Sequence, residues 1–110
     1  TYALVKSVAA QLYEAALKKV PDDTKDALRR AHDSETKEVS KKTLAFMLRS
    51  AIASEERDHL VCSDAGIPVY FVKIGANAPL GFDIRQAISD GFDHLVETIK
   101  PPILKHVTNP

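Results

Sequence analysis

Val61-Cys62-Ser63-Asp64-Ala65-Gly66-Ile67-Pro68-Val69-Tyr70-Phe71-Val72-Lys73-Ile74-Gly75 is the stretch that decides the fold reading. Val69, Tyr70, Phe71, Val72 and Ile74 are β-branched or aromatic, the composition of a mostly buried strand. They form the only long run of this kind in the chain. The pattern predicts a strand near 68–74. Gly66 permits a tight turn before it. That turn carries the only cysteine, Cys62, and an acid two residues on, Asp64. A loop that holds a thiol and a carboxylate and leads into a rigid strand is a common place for chemistry.

Upstream of this stretch the sequence reads as helices. Leu4, Val5, Val8, Leu12, Ala15, Ala16 and Val20 recur at three- and four-residue steps, predicting an amphipathic helix over about 2–19. Pro21 ends it. Pro21-Asp22-Asp23 opens a second, shorter helix near 22–32, with acids in the first turn where the helix dipole favours them and an apolar face of Ala27, Leu28 and Ala31. Ser34 is positioned to cap a third helix. Leu44, Met47, Leu48, Ala51 and Ile52 give that helix a stripe read as core, and Glu55-Glu56-Arg57-Asp58 reads as its solvated end.

Downstream, Gly75 to Gly81 is rich in turn residues. Asp83 with Gln86 three positions on has the capping-box pattern and starts a fourth helix. Its buried face is Ile84, Ala87, Ile88, Leu95, Val96 and Ile99, and Pro101-Pro102 stops it. The expected fold class is therefore α+β: α-rich, about four helices, with one main strand after the third helix.

The composition narrows the class of protein. The chain has 110 residues, 45% hydrophobic and 27% charged, which suits one folded domain. A formal net charge of zero offers no electrostatic reason to expect nucleic acid or an anionic membrane as partner. No apolar run is long enough to cross a bilayer, and no secretory leader is legible. A single cysteine excludes an internal disulfide and suits a reducing cytoplasm, the expected location. Thr1 in place of a starting methionine, and an end at Val107-Thr108-Asn109-Pro110 without features of a finished element, lead to the expectation of a fragment.

Two roles are open for Cys62 from the residues themselves. Free cysteine is often a buried structural thiol, and it is also a soft, charged iron donor when deprotonated. Asp64 is either a turn residue bonded to its own backbone before Gly66 or a proton-transfer group. His59 and Cys62 have the spacing of half a zinc site, but His32, His94 and His106 supply no second pair at a recognisable spacing, so they read as surface histidines.

Cys62-Ser63-Asp64-Ala65-Gly66, followed by the apolar run from Ile67 to Val72, resembles the Cys-Gln-Asp-Thr-Gly signature of the class I fumarate hydratase and L-tartrate dehydratase family. The Pro79-Leu80-Gly81 turn with its following helix, and Val20-Pro21-Asp22-Asp23, are similar to the family as well. The resemblance runs over nearly the whole chain and corresponds to the front part of a family member. It implies an iron–sulfur hydro-lyase whose 4Fe–4S cluster is held by three cysteines, Cys62 matching the first, with the other ligands beyond Pro110. It implies a substrate-pocket role for Asp64, as the candidate for proton transfer, and for Ser63, which stands where the family has glutamine. Ser63 reaches less far, and Ala65 lacks the family's hydroxyl, so the resemblance carries the cluster ligand further than the substrate. The family's carboxylate-clamping arginine has no match in Pro101-Pro102-Ile103-Leu104-Lys105-His106; Lys105 has the charge without the bidentate fork.

The expectation is thus that residues 1–110 are the N-terminal part of a hydro-lyase α domain. The intact protein would hydrate or dehydrate a small dicarboxylate, fumarate to malate or tartrate with loss of water, while the fragment alone would be inactive. The implied partners are the rest of the α domain and a β domain or subunit, in a homo- or hetero-oligomer. The alternative is a non-catalytic helical interaction module in which Cys62 is buried.

Overall fold

The computed structural model of the chain describes residues 1–61 and 68–103. Among them lie four helices: α1 (Tyr2–Lys18), α2 (Asp22–Ser34), α3 (Glu38–Glu56) and α4 (Ile84–Thr98). The described residues are 66% helix and contain no strand, so the α+β expectation is corrected to an all-helical one. The run expected as a strand begins at Pro68 and is irregular, not laddered. The physical reason is that β-propensity measures how a side chain fits a pleated surface, whereas a strand also needs a second main chain to pair with. The described residues supply no such second chain. No described helix is long and apolar enough to cross a membrane.

The chain divides into two compact units, one with Thr1–Ala15 and the described residues from Pro68 on, the other with the described residues from Ala16 to Val61. In the first unit α1 packs on α4 through small residues. Ala9 and Ala10 are buried on α1, as are Ala87, Gly91 and Leu95 on α4. A Cβ on Gly91 would collide with the Lys6 carbonyl oxygen and sit 3.0 Å from the Ala9 Cβ. This close approach sets which face of α1 turns inward. The expected stripe is rotated outward: Leu4 and Leu12 are 61% and 60% exposed, and the inward face is Val5, Ala9, Ala10 and Tyr13. Rings then fill the space beside the contact. Tyr13 meets Phe92 edge-on at 5.2 Å and Tyr70 at 6.3 Å between centroids, and Tyr2 meets Phe82 at 6.4 Å. The Tyr2 hydroxyl donates to Asp90, whose other carboxylate oxygen accepts from Gln86 Nε2 at 2.8 Å.

That last bond modifies the expected capping box. Asp83 does cap α4, its Oδ1 accepting from the N–H groups of Arg85 at 2.9 Å and Gln86 at 3.2 Å. The Gln86 side chain donates forward to Asp90, so only the Asp83 half of the arrangement is seen. At the far end Ile99 and Ile103 are buried.

In the second unit a three-residue connection, 35–37, joins α2 to α3, and the two helices pack together. Ser34 does not cap α3; it ends α2, its hydroxyl donating to the Ala31 carbonyl at 3.3 Å. The start of α2 lies against the end of α3 through an ion pair. Lys25 is 8% exposed, and its ammonium lies 2.7 Å from Glu55, which also accepts the Val20 N–H at 3.2 Å. Glu55 is therefore not part of a solvated helix end. The Lys25 stem takes up the inward position of α2, while Ala27 is exposed and Leu28 and Ala31 are half-buried. On α3, Ala51 is buried as expected and Met47 is exposed. α3 ends in a Schellman arrangement: the His59 N–H donates to Ser54 at 2.9 Å, the Asp58 N–H to Glu55 at 3.4 Å, and Asp58 has φ 53°. Aspartate tolerates this left-handed conformation better than most side chains.

Two outcomes follow from these contacts. Gly91→Ala adds a carbon where a backbone oxygen already stands, so the urea midpoint should fall by the equivalent of about 1–3 kcal/mol, although alanine favours a helix interior by about 1 kcal/mol. An unchanged midpoint would show that α1 and α4 do not approach this closely. The second outcome concerns acid. The Lys25 hydrogen bond holds the Glu55 carboxyl below its ordinary 4.5, and the Glu55 hydrogen bond holds Lys25 above its ordinary 10.5. The Glu55 contribution is complete above 4.5 and is lost as pH falls through the lowered native value; the Lys25 contribution is complete below 10.5 and is lost as pH rises through the raised one. Glu55→Gln should therefore flatten the decline of the urea midpoint between about pH 5 and about pH 3; a decline as steep as in the parent chain counts against the pair.

Candidate functional site

The residues that the sequence singled out, Cys62, Ser63 and Asp64, lie outside the described residues, as do Ala65, Gly66, Lys105 and His106. The chemistry of the Cys62 segment therefore has to be built from its flanks, each within its own unit.

On the upstream side, the Schellman end of α3 turns the chain out of the helix at Asp58. Asp58 is paired with Lys18 at 3.2 Å. The Val61 N–H donates to the Leu17 carbonyl at 2.8 Å, a strong bond at the last described residue before Cys62. His59 takes part in this turn through its backbone; it is exposed. Among the described residues no group of three or more histidine, cysteine, aspartate or glutamate side chains could hold a metal ion.

On the downstream side, Tyr70 anchors the segment that begins at Pro68. Its hydroxyl donates to the Ala9 carbonyl at 2.8 Å. That oxygen belongs to a helix interior and already accepts a helical bond, so the tyrosine uses its second lone pair. Burial raises the Tyr70 hydroxyl above its ordinary 10.0, with a smaller push from Tyr13, and burial raises Tyr13 too. Both hydroxyls therefore stay protonated through neutral pH. The sequence reading placed Tyr70 in a strand and missed this anchoring role. The available signal was a phenol inside an apolar run, since a part-buried Tyr O–H needs an acceptor.

Pro68, Tyr70, Val72 and Ile74 line one side of a groove of about 470 Å³, and Ile84, Ile88 and Phe92 of α4 line the other, with Arg85 and Ser89 among them. The alternation by two is what an extended chain imposes even without a ladder. A second groove, of about 480 Å³, runs between α1 and α4, where Lys6, Glu14 and His94 bring both charge signs together. Each unit thus holds an ordered tie close in sequence to Cys62–Ile67, while the expected site residues lie outside the described residues.

A family described as Fumarate hydratase (Fumerase) matches residues 6–108 by its sequence profile. A protein of Methanocaldococcus jannaschii that carries the provisional name L(+)-tartrate dehydratase subunit alpha is 31% identical over 108 residues, 96% of this chain and 37% of that protein. The L(+)-tartrate dehydratase subunit alpha of Escherichia coli O157:H7 is 27% identical over 85 residues, 77% of this chain and 27% of its own length. Its counterpart in Escherichia coli K12 is 26% identical over 85 residues, with the same coverage. The chain therefore spans about a third of the length of the curated relatives it matches. No solved structure matches it.

Proposed function

Because this chain belongs to the fumarate hydratase (Fumerase) family, we propose that it is the N-terminal part of a hydro-lyase α domain whose intact form adds water to, or removes it from, a small dicarboxylate. The observation that carries this reading is the family match over residues 6–108, which takes in Cys62-Ser63-Asp64-Ala65-Gly66 at the foot of an apolar extended run. Fumarate with malate, and tartrate with its dehydration product, are the substrate pairs that the relatives' names support. Ser63 and Ala65 depart from the family's glutamine and threonine, so the choice between them rests with these two positions.

A 4Fe–4S cluster is the implied cofactor. One cysteine among 110 residues fits it as the donor of one thiolate, Cys62, and leaves the remaining ligands to the rest of the protein. When bound, such a cluster supplies a Lewis-acidic iron for a substrate oxygen. Asp64 takes the proton from the carbon beside the one bearing the leaving hydroxyl during dehydration, and returns it during hydration. The Ser63 hydroxyl donates to, or accepts from, a substrate oxygen. The relatives' designation as α subunits supports a β partner and an oligomer, and the single cysteine supports a reducing, cytoplasmic setting.

Two substitutions in the intact protein, purified without oxygen, test the roles separately. Cys62→Ser should lower iron and sulfide content and abolish turnover, because a hydroxyl is a poorer iron donor than a thiolate; full iron content and full rate would make Cys62 structural. Asp64→Asn should leave iron content and the absorption spectrum unchanged while kcat falls about a hundredfold or more. A near-normal kcat would return Asp64 to the role of a turn residue, since asparagine makes the same local turn.

A further inference from the structure

The run from Pro68 to Ile74 is apolar on both sides and open on both. Its outward residues Val69 and Phe71 are 71% and 97% exposed, and its other side lines the open groove against Ile84, Ile88 and Phe92. Nowhere among the described residues is a large side chain fully buried, although 45% of the chain is hydrophobic. A phenylalanine so exposed on a contiguous apolar run marks an interaction surface rather than scatter.

We infer that this surface is a docking site for the remaining polypeptide of the same subunit, which covers Phe71 on one side and fills the groove on the other. The inference rests on the reading of the chain as part of a longer hydro-lyase subunit. Its relatives offer the material: this chain corresponds to 37% of the Methanocaldococcus jannaschii protein, so most of such a subunit lies outside it. The two-sided opening decides against a second copy of the chain, because a two-fold contact brings one patch against its own equivalent and leaves the other side open. Lys73 is the single charge on the run, so the complementary surface is apolar rather than acidic.

Hydroxyl-radical labelling of the intact wild-type protein tests this without any variant. Val69 and Phe71 should be oxidised several-fold more slowly than the same side chains in a peptide of this segment, equally at high and low protein concentration. Labelling at the peptide rate overturns the inference, and protection that disappears on dilution assigns the surface to a second copy instead. In parallel, Phe71→Asp should lower the melting temperature of the intact protein by about 5 °C or more, and Phe71→Leu by less; equal melting of all three proteins also overturns it. Fumarate and tartrate turnover measured on the same preparation keeps the two readings apart. Protected side chains without turnover would retain the docking surface and remove the hydro-lyase.

Discussion

α1 and α4 touch where neither carries more than a methyl group. Gly91 leaves room for the Lys6 carbonyl and Ala9, and no side chain could stand in its place without moving a backbone. The rest of the first unit is arranged around that approach. It turns Ala9, Ala10 and Tyr13 inward, brings Tyr2 to Asp90, and lets Tyr13 reach Phe92 and Tyr70. Once Ala9 is fixed, its carbonyl becomes the acceptor that holds Tyr70, and with it the run that follows the Cys62 segment in sequence.

The second unit depends on a different kind of contact. Its two helices are highly charged, and the position an apolar residue would take on α2 is held by Lys25. A buried ammonium is tolerable only with a partner, and Glu55 supplies it while also accepting the Val20 N–H. The same carboxylate therefore orders the connection before α2 and the α2–α3 contact. The Schellman turn at Asp58 then carries the chain towards Cys62.

Each unit carries one ordered tie close in sequence to Cys62–Ile67. Val61 and Tyr70 are each tied to a helix carbonyl by a bond of 2.8 Å. In sequence, Cys62, Ser63 and Asp64 lie between Val61 and Tyr70.

The amino-acid order by itself determined the helices and their family. The 3.6-residue spacing, Pro21, the acids after it, the Asp83 cap and Pro101-Pro102 are local signals, and local hydrogen bonding answers them wherever the helix packs. The Cys62–Gly66 signature is likewise local. Three things were decided only by tertiary structure. The inward face of α1 depended on where Gly91 allowed close approach, which outweighed the larger but outward Leu4 and Leu12. Glu55 became a half-buried partner because Lys25, thirty positions earlier, needed one. The run from Pro68 to Ile74 kept an extended alternation without becoming a strand. Side-chain preference prepares a strand, but main-chain pairing makes one, and pairing is a property of two segments that no single stretch of sequence contains.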